Sequence, residues 1–292
     1  MLVLLRVSIG WHFLYAGIDK YTSGSFTSAG FLGQAKGPWA EDFYALIPDW
    51  NGSQRLDAKT QVDEMKEYAA DFKKAYSLTG DQTAEVDKIL TRRSVQLQAY
   101  FDDNKAGDEG MEEFRHQWTR LEGWKKQADH DMPFQQKRIW DQQTKLRGQL
   151  SRWSTEIEKI QLEFHEDLDD VLTQEQQAKT PARPIGSYFT QDNVIMYSNL
   201  VIGGCLIAGL FTRLACLGGG LFLLSVVMAQ PDWPGLYPPP PPAAGRTLVV
   251  NKEFIEMMAL FALATTRVGQ WGGLDFIIHS LFVRPVWRKE GT

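Results

Sequence analysis

Residues 193–229 read NVIMYSNLVIGGCLIAGLFTRLACLGGGLFLLSVVMA, and the only charge among them is Arg213. A helix that crosses a bilayer takes about 20 predominantly apolar residues. Asn193 to Phe211 supplies 19 uncharged ones, and Leu214 to Ala229 supplies 16 more. The segment Phe211-Thr212-Arg213-Leu214 between them reads as a tight turn. The stretch is therefore read as two successive membrane helices, with Gly203-Gly204 and Gly218-Gly219-Gly220 allowing close approach.

Two further apolar runs flank this pair. Met1 to Ala16 is broken only by Arg6, Ser8 and His12, and Phe254 to Thr266 only by Glu256. A secretory signal is the rival for the first run. Gly10, Trp11, His12 and Tyr15 interrupt it, and no small-residue cleavage site follows cleanly, which argues against that reading. Buried helices of a soluble protein are the rival for the later runs. The expected fold class is all-α, a four-helix transmembrane bundle.

The mean hydropathy of −0.30 over 292 residues hides this, because the centre of the chain differs in composition from its ends. Between Tyr21 and Gln191 lie 22 of the 31 Lys and Arg and 29 of the 36 Asp and Glu, a net charge of −7. A strongly basic nucleic-acid binder is excluded by this balance, so no nucleic-acid partner is expected. Two cysteines exclude a disulfide-stapled scaffold and a four-thiolate metal site.

The acidic centre reads as helix after helix. Met65, Ala69, Phe72 and Tyr76 form one apolar stripe; Val86, Leu90, Leu97 and Tyr100 form a second, behind a cap at Asp81 or Thr83. Met111, Phe114, Trp118 and Leu121 make a third, and Leu146 through Val171 a fourth that starts at Pro133 and runs to about Gln177. A periplasmic helical-hairpin or coiled-coil-like insertion is expected, giving three regions: 1–50, first helix and loop; 51–182, insertion; 183–292, helices two to four. His116, His130 and His165 lack an i, i+4 pair and read as solvent-facing, so no metal site is expected.

Basic residues in short loops set the orientation. Arg213 and the tail residues Arg284, Arg288 and Lys289 fall on one side, with Arg6 near it, so both termini are expected in the cytoplasm. The insertion and the loop carrying Pro238 to Pro242, a stiff polyproline spacer, then face the periplasm of a bacterial inner membrane. Arg246 and Lys252 lie outside in this scheme, against the rule. Trp271 and Trp287 fit an interfacial aromatic belt.

Three stretches carry a resemblance. The first is RVSIGWHFLYAGIDK (6–20) followed by TSAGFLGQAKGPWAEDF (27–43). The second is LIAGLFTRLACLGGGLFLL (206–224) followed by AQPDWPG (229–235). The third is NKEFIEMMALFALATTRVGQWGGLDFIIH (251–279). In this order they resemble the DoxX/DoxD family in its larger form, over about the first 45 and last 100 residues but not the insertion. The resemblance implies a four-helix membrane bundle tied to respiratory redox chemistry, as a subunit of a thiosulfate:quinone oxidoreductase or a quinol oxidase. Ala16 stands where the family often places a Glu or His.

Ionisable residues at bilayer depth cost about 2.5–3.5 kcal/mol each on insertion scales, and so need a partner or a purpose. His12 is the candidate for proton exchange with a quinone, or else a histidine bonded to a neighbouring helix. Glu256 is the candidate quinone-pocket acid, or an interhelical ion-pair partner within reach of Lys252, Lys20 or Arg246. Arg267, Trp11 and Lys20 complete the expected cofactor-binding set. Arg267 shares a face with Glu256 but lies about 16 Å further along the helix. Cys205 and Cys216 read as free core thiols. No GxGxxG after a strand, CxxCH or P-loop occurs, so a non-covalent quinone is the only cofactor expected. The leading expectation is a quinone-linked redox subunit. Its rival is a non-catalytic anchor whose insertion docks a periplasmic partner or electron donor; a homo-oligomer is compatible with either.

Overall fold

The computed structural model describes residues 1–24, 26–127, 132–178, 190–239, 250–278 and 280. Among them the chain is all-helical, with no strand. Its helices are, in order, α1 (Leu2–Ser23), α2 (Ala29–Leu32), α3 (Ala40–Ala45), α4 (Ala58–Tyr76), α5 (Gly80–Asp103), α6 (Met111–Gln127), α7 (Pro133–Asp169), α8 (Gln174–Gln177), α9 (Gln191–Ala208), α10 (Thr212–Ala229), α11 (Lys252–Ala264), α12 (Val268–Gly272) and α13 (Asp275–Ile278). The chain divides into two compact units, Met1–Ile47 with Pro184–Thr292, and Pro48–Arg183. Arg246, Pro240 to Pro242, Arg284, Trp287, Arg288, Lys289 and His130 lie outside the described residues.

In the first unit α1 packs on α9, α9 on α10, α10 on α11, and α11 back on α1. Ile9, Phe13, Leu206, Cys216, Leu223, Met257, Leu260 and Leu263 fill the centre. Small residues set the spacing: a Cβ at Gly203 would collide with the Leu14 backbone of α1, so only glycine permits this approach. The outward faces are apolar as well, with Leu4, Val201, Leu214, Leu221 and Ile255 all exposed. A helix apolar on every face belongs in a large core or a membrane.

α1 and α10 are each long and apolar enough to cross a membrane. The other two runs fall short as single helices. α9 opens on Gln191, Asp192 and Asn193 and carries Asn199, while α11 has 13 residues, about 20 Å against the ~30 Å hydrocarbon core.

At one end of this unit Arg6, 1% exposed, ties α1 to the end of α9 and to both ends of α12. Its Nη2 donates to the Gly272 carbonyl at 2.9 Å and the Ile207 carbonyl at 3.5 Å, and its Nη1 to Val268 at 3.3 Å. Gly209, at φ 64°, lets the chain turn tightly against that guanidinium. Beside it, Asp275 accepts from the amides of Phe211 and Thr212 at 2.7 and 3.0 Å, satisfying orphan donors at the start of α10.

At the other end, the loop after α1 locks onto the loop after α10. Lys36 Nζ donates to the Pro238 carbonyl at 3.2 Å and lies 3.9 Å from Asp232. Asn251, which caps α11, donates from Nδ2 to Asp232 at 3.2 Å. Trp39 meets Trp233 edge-on, and Ser28 donates from both N and Oγ to Asp192.

The second unit has its own core, built from the four apolar stripes. Val86, Leu97, Leu121, Leu146, Phe164 and Leu168 are fully buried there. The cap of α5 is Thr79 rather than Asp81 or Thr83. Its hydroxyl accepts from Gln82 N, and the Gln82 side chain returns to the Thr79 amide. α7 runs for 37 residues, about 55 Å, and stops at Asp169 rather than continuing to Gln177. A second capping box, Thr173 with Gln176, opens α8 instead. Gln82 Nε2 donates to Gln176 Oε1 at 2.8 Å, so the two boxes face each other.

Candidate functional site

Midway along α1 the exposed apolar surface of the first unit is interrupted by a cluster of charge. His12 sits near the middle of α1, and Glu256 and Lys252 sit one turn apart on α11. His12 Nδ1 lies 2.8 and 3.0 Å from the two Glu256 oxygens, and Lys252 Nζ lies 3.3 Å from His12 Nε2. An ammonium can only donate, so Nε2 accepts and the imidazole proton is assigned to Nδ1, which donates to the carboxylate. The result is a line of ammonium, neutral imidazole and carboxylate with no net charge. Because α1 and α11 are neighbours in the helix cycle, the i, i+4 spacing of Lys252 and Glu256 lets α11 grip one ring from both sides.

Exposure divides this trio. The Glu256 side chain is 11% exposed and the His12 side chain 45%. The carboxylate is therefore held between the helices while the imidazole edge remains reachable from outside. Trp11 and Tyr15, both exposed, extend the same helix, with ring centroids 6.4 Å apart.

The structure brings His12 and Glu256 together and adds Lys252 to them. Lys20 and Arg267 are not part of this cluster. Lys20 Nζ donates to the Ala16 carbonyl, lies 5.3 Å over the Phe26 ring, and sits two turns from His12. Arg267 is exposed and caps α12 beyond the far end of α11. Glu256 pairs across to His12 rather than along its own helix to Lys252. The signal for Lys252 was its i, i+4 spacing from Glu256; what sequence alone lacked was the ring lying between them.

Elsewhere, Cys205 and Cys216 are free thiols, half-buried and buried. Among the described residues no group of three or more His, Cys, Asp or Glu could hold a metal ion. His116 is exposed, whereas His165 is half-buried, its ring tilted 31° to that of Tyr68 with centroids 4.1 Å apart.

A quinone needs hydrogen-bonding partners for its oxygens and an apolar setting for its tail. The Lys252 ammonium has N–H donors beyond the one it gives to His12, and Trp11, Tyr15 and Ile255 are exposed apolar surface on the same two helices. No family model, curated protein or solved structure matches the chain.

Proposed function

We propose that the first unit is a quinone-linked redox module of the DoxX/DoxD type, its four apolar helices embedded in a bacterial inner membrane. α9 and α11 would complete their spans with flanking residues, and the second unit would lie on the periplasmic side. The observation that carries this reading is the Lys252–His12–Glu256 line, closed toward α11 and open toward what would be lipid. A polar site that opens toward the hydrocarbon phase favours a ligand that partitions there and carries oxygen acceptors.

A bound quinone would supply the two-electron couple, with electrons from a reduced sulfur anion or a partner's redox centre. The rest of the chemistry belongs to this chain. Lys252 Nζ donates to an acceptor oxygen placed at the ring edge. His12 holds a proton at Nδ1 and offers Nε2 as the site where a proton arrives or leaves. Glu256 fixes the tautomer and balances the charge when both ring nitrogens are protonated. In the bilayer reading, the surrounding hydrocarbon would keep bulk water from competing for these bonds.

The test is quinone content and turnover of the chain extracted from its own membranes in mild detergent. Wild type should release quinone on solvent extraction. His12→Ala and Glu256→Gln should lose it and lose quinone-dependent electron transfer, while inserting normally. Full retention of both in either variant would refute the site. A stoichiometric protein partner without quinone would instead favour an anchor role, with the second unit as the docking part.

A further inference from the structure

Among the described residues, the end of the first unit that Arg6 closes carries Arg6, Arg213 and Arg267 against a single carboxylate, Asp275. Asp275 is already engaged, by the Phe211 and Thr212 amides and by the charge of the buried Arg6. Arg213 and Arg267 are exposed and form no ion pair among the described residues. Guanidiniums in that state suit a phosphate, which they can hold through paired N–H donors.

The helix contacts bring the two together. Arg213, in the first turn of α10, donates from Nε to the Thr266 carbonyl at 3.3 Å. That carbonyl belongs to the peptide leading into Arg267, and consecutive Cα atoms are about 3.8 Å apart. Arg267 therefore starts within one residue of the Arg213 guanidinium. With Nε engaged, the two Nη groups of Arg213 make no hydrogen bond among the described residues and are left to an outside acceptor.

The apolar surface beside this pair decides the class of ligand. Leu217 and Leu221 follow Arg213 at i+4 and i+8 on the same side of α10, and both are exposed. Trp271, four residues past Arg267, is 65% exposed and is of the residue type enriched at headgroup depth. An anion held by the arginines thus has an exposed leucine row running from it along the helix. That is the pattern of a phospholipid, with its phosphate at the end of the bundle and an acyl chain along the side. Free phosphate or an acidic protein would satisfy the arginines and leave Leu217 and Leu221 uncovered.

We propose that Arg213 and Arg267 hold the phosphate of an anionic phospholipid whose acyl chain lies along Leu217 and Leu221. The assignment rests on the bilayer reading of the first unit, and the quinone site has no part in it.

The full chain in mild detergent is titrated with phosphatidylglycerol or phosphatidylcholine, and bound lipids are counted by native mass spectrometry. Wild type should retain phosphatidylglycerol in preference to phosphatidylcholine. Arg213→Gln with Arg267→Gln should weaken phosphatidylglycerol binding roughly 25-fold, at about fivefold per basic residue. Arg267→Gln alone, whose side chain caps nothing, should cost about fivefold with the thermal transition unchanged, which separates binding from folding. Inorganic phosphate should not displace the lipid; displacement at equal concentration would show a simple anion site and overturn the lipid assignment. Undiminished phosphatidylglycerol binding by the double variant, or equal binding of both lipids by wild type, overturns the headgroup site and leaves the bilayer reading standing. A chain that stays in solution without detergent and never enters vesicles overturns the bilayer reading and this proposal with it.

Discussion

Replacing Arg6 with Leu removes the guanidinium that ties α1 to the Val268 and Gly272 carbonyls at 3.3 and 2.9 Å. The buried Val268 acceptor left without its donor costs about 1–3 kcal/mol, and the Gly272 acceptor, only part-buried, costs less because water can replace the donor. The Ile207 contact, at 3.5 Å, is long enough to be ignored. Against this loss stands a gain, because leucine need not be desolvated as a cation, and that relief is several kcal/mol in principle. Asp275 decides the balance. It is the carboxylate that acts most strongly on Arg6, and without the cation it would cap α10 as an uncompensated charge. The net destabilisation is set at about 3 kcal/mol, the lower end of what breaking a buried charge arrangement costs. For a unit of this size that lowers Tm by roughly 6–12 °C. The assay is thermal unfolding in mild detergent, with hydrogen exchange at the Phe211 and Thr212 amides as the local readout. Arg6→Lys, which keeps charge but loses the planar fork, should fall between the two. An Arg6→Leu protein as stable as wild type, with those amides still protected, would refute the reasoning.

Three further outcomes follow. Gly203→Val should prevent α1 from docking on α9, whereas Gly204→Ala, which meets nothing within 4 Å and removes a mid-helix glycine, should raise the thermal transition by roughly 1–4 °C. The second unit should lose stability in acid in two stages. His165, held below its ordinary 6.5 by burial, is neutral in the fold, so its contribution is complete above 6.5 and declines as pH falls below it. Asp167, held low by the Arg93 hydrogen bond, and Asp57, held low by Thr60, contribute above 3.8 and are lost below it. Urea midpoints against pH check this, and His165→Phe should abolish the first stage only. Phe164→Ala, emptying a fully buried site, should cost about 3–5 kcal/mol in the same titration.

The helices of the second unit were legible because their apolar stripes recur at helical spacing, and the stripe residues Phe114, Trp118, Leu146 and Phe164 are core in the structure. The misplaced cap of α5 and the overlong α7 share one cause. Both ends are set by a Thr-x-x-Gln box, at Thr79 and Thr173, whose signature lies in the sequence but competes with nearby Asp and Thr residues. The membrane runs were legible as composition, yet their lengths were not: α11 ends at Ala264, and the separate short helix α12, which Arg6 binds, follows it. His12 and Glu256 stood out as charges in apolar helices. That one imidazole is shared between Glu256 and Lys252 depends on partners about 240 positions apart, for which local periodicity carries no signal.

The Arg6 clamp also has a time axis. Its carbonyl partner at Gly272 emerges from the ribosome 266 residues later, and at about 5–20 residues per second that is roughly 13–50 s. Throughout that interval α1 carries a cation whose ligands do not yet exist. Thr212 likewise waits 63 residues for Asp275 to cap its helix. The bundle therefore stays unsealed until α12 and α13 have been made, and these two short helices, which follow the four long ones, act as the latch that closes it.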